Sequence, residues 1–218
     1  MDAGVRRSFA DRTRWWRLAL AVVGGVWAAL TLPLVATAFG SPAYVWVLRS
    51  RVYFAANQWA DDPYITYGTL AGFSFLAIGL ALLPDLRRAG WGGTVMAWLI
   101  IAGGPLCAVS YLSTPRSAPL HFLWGAEGVL LFVACAFGVA AAATAGPRWR
   151  LGLRTLLGFT FILVAIGTIA LGYWPHGSLV VLAMEAVVII AVAPRDAAFE
   201  AEPALTAAPG VAEPPVSP

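Results

Sequence analysis

Residues 18–39 read LALAVVGGVWAALTLPLVATAF, a run with no charged side chain and only two threonines among its polar groups. At a rise of ~1.5 Å per residue such a run crosses a hydrocarbon core of ~30 Å, and in lipid its backbone is satisfied internally only as a helix. Five more runs follow, from Tyr64 to Leu83, Trp91 to Leu112, Leu120 to Ala145, Thr155 to Tyr173 and Ser178 to Ala193. Sequence punctuation closes several of them: Pro84-Asp85 with Arg87-Arg88, Gly146-Pro147 with Arg148, Arg150 and Arg154, and Pro194-Arg195-Asp196. The last run is the shortest, and Tyr173-Trp174-Pro175-His176-Gly177 leaves room only for a tight turn before it, so spans five and six pair antiparallel. The expected fold is all-α: a polytopic membrane bundle of six transmembrane helices. Pro33 and Pro105 fall inside spans one and three, where kinks are expected, and Gly68-x-x-x-Gly72 matches a close-packing motif of membrane helices.

The composition agrees. Of 218 residues 60% are hydrophobic and 11% charged, against ~45–50% and ~25% in soluble domains. A soluble enzyme, a nucleic-acid binder and a disordered chain are excluded, because too few polar groups exist to cover a water-facing surface. All 14 basic residues are arginine, which points to a GC-rich genome rather than to a mechanism. With the N-terminus inside, eleven arginines fall on one side of the membrane; only Arg49, Arg51 and Arg116 fall on the other. The positive-inside rule then makes both termini cytoplasmic, with Trp15, Trp16, Trp91, Trp149 and Trp174 as interfacial anchors.

Residues 1–17 form a basic cytoplasmic N-terminus, residues 18–193 the six-span domain, and residues 194–218, rich in Ala, Pro and Glu, a disordered cytoplasmic tail. Val5-Arg6-Arg7-Ser8-Phe9 resembles a twin-arginine signal and Ala36-Thr37-Ala38 a cleavage site, but the apolar run before it exceeds the ~7–15 residues of a signal core, so span one is read as retained. In the long loop before span two, residues 43–60 place Tyr44, Leu48, Val52 and Trp59 near helical periods, with Arg49, Arg51, Asn57 and Gln58 off that line. An amphipathic helix in the outer interface is expected there, either capping the bundle or meeting lipid or a partner.

Inside the spans two acids stand out. Glu127 and Glu185 both lie about seven residues from the outer span ends, at a shared depth of roughly 10 Å. No arginine lies inside a span to pair with them, which leaves protonation, a water-filled outward pocket, or contact with Arg49, Arg51 or Arg116. An intramembrane acid is a functional candidate by default, and the bland alternative is a protonated carboxyl bonded to a carbonyl as interhelical glue. His121 and His176 lie at the outer interface, and Asp61-Asp62 open span two on the same side. Glu127, Glu185, His121, Asp62 and His176 are therefore the candidate polar pocket, with Ser113, Thr114, Tyr64 and Tyr67 beside them. On a continuous helix His121, Trp124, Gly125 and Gly128 share a face and Glu127 projects about 120° away. Cys107 and Cys135 sit in apolar runs as packing residues, and no metal-ligand spacing or cofactor motif is present.

The layout resembles an uncharacterised family of bacterial six-span membrane proteins, distantly similar to the Frag/DRAM/Sfk group. The resemblance rests on the long loop before span two, the Leu120-His121 entry to span four, Pro147-Arg148-Trp149-Arg150 before span five, and Glu185 in the last span. It covers residues 15–195. It implies no established activity and suggests envelope- or lipid-associated roles. The expected partners are membrane lipids and a membrane-protein partner, with no nucleic acid and no cofactor. The function expected first is non-enzymatic. A small proton-coupled transporter using Glu127 and Glu185 is the alternative. An intramembrane enzyme built on Asp62, His121 and Glu127 lacks a nucleophile or metal motif.

Overall fold

The structure, a computed structural model, describes residues 3–147 and 149–194; the expected tail lies outside them from Arg195 onward. It is all-helical among the described residues. In chain order the helices are α1 (Ala3–Ala38), α2 (Arg51–Trp59), α3 (Pro63–Leu70), α4 (Gly72–Arg88), α5 (Trp91–Leu112), α6 (Ala126–Thr144), α7 (Leu151–Leu171) and α8 (His176–Val192). Five stretches are long and apolar enough to cross a membrane, with α3 and α4 forming one of them; α8, at 17 residues, is apolar and shorter. This is a multi-pass helical membrane protein.

The helices close into a ring. α1 packs on α4, α4 on α5, α5 on α6, α6 on α7, α7 on α8, and α8 returns to α1. Without a hydrophobic force between helices in lipid, small residues at the seams set how closely backbones approach. Gly24 and Gly25 let α1 nest between two neighbours: a Cβ on Gly24 would sit 3.0 Å from Ala77 on α4, and one on Gly25 2.6 Å from Ala183 on α8. The Gly68/Gly72 pair serves α5 in the same way. A Cβ on Gly72 would lie 2.7 Å from the Gly104 carbonyl oxygen. Facing outward, Leu30, Phe73, Trp98, Leu151 and Ile169 are exposed, a flank suited to lipid.

The prolines within helices do not interrupt them. α1, α4 and α5 each run on through Pro33, Pro84 and Pro105. Span two breaks instead at Ala71, whose N–H bonds to Gly68 O at 3.1 Å; that carbonyl also accepts from the Cys107 thiol at 3.4 Å. The basic N-terminal segment is helical from Ala3, continuous with the first span.

At the end of the bundle opposite α2, arginines bind the helix ends. Arg17 pairs with Asp85, which also accepts from Arg88 at 3.0 Å, and the Arg17 Nε donates to Ala81 O at 2.9 Å. Arg14 donates to Ala191 O and Arg154 to Ala142 O, in the last turns of α8 and α6. Carbonyls there have no intrahelical partner or face the negative end of the helix dipole, so a cation suits them.

The loop helix differs from its expected form. Residues 43–60 are not one helix but two short turns, Pro42–Tyr44 and Val47–Arg49, followed by α2. Ser50 caps α2, its hydroxyl accepting from Tyr53 N–H, and the cap restarts the helical phase. The inward face is therefore Tyr53, Ala56 and Ala60, while Val52 and Trp59, expected on the apolar line with Tyr44 and Leu48, are exposed with Trp46 and Phe54. Two tyrosine hydroxyls tie this layer down: Tyr44 to Leu171 O at 2.6 Å and Tyr67 to Ala56 O at 2.5 Å.

Candidate functional site

The site grows from a break in the fourth apolar run. Leu120 to Trp124 is apolar enough to be helix, yet His121–Leu123 is a single 3-10 turn and Gly125 adopts φ 81°, a left-handed conformation that suits glycine. α6 starts only at Ala126, so Glu127 stands in its first turn. The face shared by His121, Trp124, Gly125 and Gly128 on a continuous helix therefore does not exist. The His121 ring instead stacks on Trp124 at 6.3 Å, and its Nδ1 lies 2.9 Å from Ser113 O.

The late start also changes the depth of Glu127. A Cβ on Gly128 would meet the Trp174 indole at 2.3 Å, so Glu127 lies level with the turn before α8. Glu185 is ten residues along α8, on the order of 15 Å deeper at ~1.5 Å per residue. The shared depth expected of the two acids is thus corrected: they sit on different levels with different partners. Glu185 accepts from the Thr160 hydroxyl of α7 at 2.5 Å, and Cys135 is near it. Glu127 faces the Ser110 hydroxyl of α5 and the backbone N–H groups of Glu127 and Gly128. A helix N-terminus suits an acid. In each carboxyl group Oε2 is buried without a hydrogen bond. Neither acid forms an ion pair among the described residues.

Around Glu127 opens a cavity of about 590 Å³ at the α2 end of the bundle. Its walls are mainly aromatic: Phe39, Tyr64, Tyr111, Trp124, Tyr173 and Trp174. The hydroxyls of Tyr111 and Tyr173 are 3.0 Å apart, the Tyr64 and Tyr111 rings are 5.1 Å apart, and Trp124 Nε1 donates to the Tyr64 hydroxyl at 3.2 Å. Burial pushes the Tyr173 hydroxyl, in the turn before α8, well above the ordinary tyrosine range, so it stays a neutral phenol. Val129 and Ile169, 63% and 81% exposed, form the rim on the lipid-facing flank. A second cavity of about 440 Å³ adjoins it, sharing Phe39, Tyr64 and Trp124 and adding Asp61, Asp62 and Thr114.

Of the five candidate residues, the two adjoining cavities take in Glu127 and Asp62. Asp62 has a structural task as well: it caps α3, accepting from Ile65 N–H at 3.1 Å with Pro63 at the first helical position. Asp62→Ala should cost about 1 kcal/mol in a detergent unfolding titration. The other three lie outside both cavities. His121 is held by Ser113. His176 is fully buried at the start of α8, 5.6 Å from the Tyr173 ring and facing the Tyr67 backbone, with neither ring nitrogen in a formed hydrogen bond. Glu185 is deep in the bundle. Arg49, Arg51 and Arg116 are not partners of either acid. Of the aromatic wall only Tyr64 was placed beside the expected pocket; Phe39, Tyr111, Trp124, Tyr173 and Trp174 were not. Its signal was present in Tyr64, Tyr111 and the adjacent Tyr173 and Trp174, at the ends of three different spans or turns.

Among the described residues no cluster of three or more His, Cys, Asp or Glu side chains is placed to hold a metal ion. No family model, curated protein or solved structure matches this chain.

Proposed function

We propose that this chain is a non-enzymatic protein of a bacterial cytoplasmic membrane, with both termini cytoplasmic, that binds a small molecule or lipid headgroup at its outward end. One observation carries the reading: an aromatic cavity of about 590 Å³ containing a buried acid, in the ~300–1,000 Å³ range of ligand sites. The arginine excess at the end opposite α2 supports the orientation, which makes the cavity outward-facing. The exposed rim residues Val129 and Ile169 support entry from the bilayer as well as from water. Lipids around the exposed Trp46, Val52, Phe54 and Trp59 of the α2 layer are the second expected contact.

The test is ligand retention. Native mass spectrometry of the detergent-purified protein should show a bound small molecule or lipid, lost in Gly128→Leu, whose side chain would displace Trp174 from its place in the cavity wall. Equal retention in both proteins would overturn the reading. Orientation is read separately: in intact cells an impermeant maleimide should label Ser117→Cys and spare Gly146→Cys, both exposed positions.

A second reading, a small proton-coupled carrier, draws on the unpartnered Oε2 atoms of Glu127 and Glu185. Their different levels would make them successive stations on a path rather than one shared site. If Glu127→Gln with Glu185→Gln leaves a pH-dependent uptake signal in proteoliposomes unchanged, that reading fails.

A further inference from the structure

We infer that the cavity around Glu127 is a cage for an organic ammonium cation; this rests on the ligand-binding reading above and gives it a substrate class. Three independent features converge on positive charge joined to apolar bulk.

The first is the wall. Phe39, Tyr64, Tyr111, Trp124, Tyr173 and Trp174 converge from the turn after α1, from α3 and α5, and from the two turns that enter α6 and α8. Aromatic faces carry partial negative charge and attract a weakly hydrated cation, and trimethylammonium groups are the usual guests of such cages. The second is the acid. Glu127 is only 5% exposed, lines the cavity, and keeps Oε2 without a hydrogen bond. Asp61 and Asp62 add acidic groups in the adjoining space behind Tyr64 and Trp124. The third is what the lining omits. Among the described residues neither cavity is lined by an arginine or a histidine, although the chain has fourteen arginines. An anionic headgroup or a carboxylate substrate would find no counter-charge here. A neutral hydrocarbon would leave the carboxyl group buried and unmatched, which is unfavourable. A compact inorganic cation is a poor fit too, because the described residues bring no cluster of three ligating groups together.

An ammonium group can arrive as a free amine or quaternary salt, or on the choline headgroup of a lipid entering past Val129 and Ile169. The chemistry recognised is the same, so the test has an arm for each source.

Purified full-length protein in nanodiscs of phosphatidylglycerol is titrated with choline and with its uncharged carbon isostere, 3,3-dimethylbutan-1-ol, following tryptophan fluorescence and heat. Choline should saturate, and the isostere should bind at least tenfold more weakly. Glu127→Gln should lose at least tenfold in choline affinity. Trp124→Leu, which removes a wall and leaves the acid, should lose affinity while retaining the helical circular dichroism of the parent. Repeating the choline titration in phosphatidylcholine nanodiscs separates the sources: lost binding assigns the site to the lipid headgroup, and retained binding to a free cation. Equal binding of choline and the isostere, or Glu127→Gln binding like the parent, overturns the cation assignment and leaves the cavity reading standing. If no choline binding is seen and Gly128→Leu retains the same native adducts as the parent, the cavity reading falls with it.

Discussion

Asp85→Asn should lower the unfolding free energy by about 3–5 kcal/mol, measured by a denaturing-detergent titration of the purified protein followed by circular dichroism. The Asp85 side chain is 3% exposed and joins two arginines, Arg17 from α1 and Arg88 from its own helix. Removing the carboxylate leaves Arg17, itself only 15% exposed, facing a carbonyl and no anion, and an uncompensated buried charge is what makes such losses large. The same physics gives an ordered series. Arg88→Ala should cost under about 1 kcal/mol, because its side chain is 27% exposed and screened. Arg17→Met combined with Asp85→Leu should recover most of the single-mutant loss, since an apolar pair needs no desolvation of charge. An Asp85→Asn protein within ~0.5 kcal/mol of the parent would show that the cluster is merely solvated at the interface.

That cluster also marks where local sequence pattern stops being informative. Arg17 was legible as a charge flanking the first span and Asp85 as the end of a span, because both inferences use neighbouring residues alone. Their pairing joins positions 68 residues apart, and it depends on the rotation of α1 against α4. Nothing local encodes that rotation; Gly24 and Gly25 hint at it only once Ala77 and Ala183 are seen beside them. The spans were legible because hydrocarbon demands one feature, a long apolar run, and chain order supplies it.

The site was harder for a specific reason. Leu120, Phe122, Leu123 and Trp124 are apolar, so hydropathy counts them as span. The left-handed φ of 81° at Gly125 instead delays the start of α6 to Ala126. That delay moves Glu127 from the depth of Glu185 to the end of the bundle. In the loop, the cap at Ser50 had a comparable effect, turning Val52 and Trp59 outward. Both features are single residues, Gly125 within an apolar stretch and Ser50 between Arg49 and Arg51, and periodicity averages over them.

Gly68→Ala should cost about 3 kcal/mol, at the upper end of the ~1–3 kcal/mol typical of overpacking. An added Cβ would lie 2.0 Å from the Tyr111 ring, and Tyr111, 2% exposed, can yield only towards the cavity it lines. Displacing it pulls its hydroxyl from Tyr173 and its ring from Tyr64, so the cavity wall is lost along with the packing. Choline binding should weaken with stability in this variant. Gly152→Ala, where nothing lies within 4 Å of the new atom, is the matched control and should fall within ~0.5 kcal/mol of the parent. The decisive measurement is the double variant Gly68→Ala/Tyr111→Ala. Tyr111→Ala alone removes a buried aromatic side chain, and the added methyl then occupies part of the space it leaves. The two losses should therefore combine to at least ~1 kcal/mol less than their sum, as expected of residues in direct contact. Strict additivity would mean that the Gly68 seam accommodates the methyl by sliding α3 away from α5 rather than by pressing on Tyr111, and the cavity wall would then be independent of the helix seam behind it.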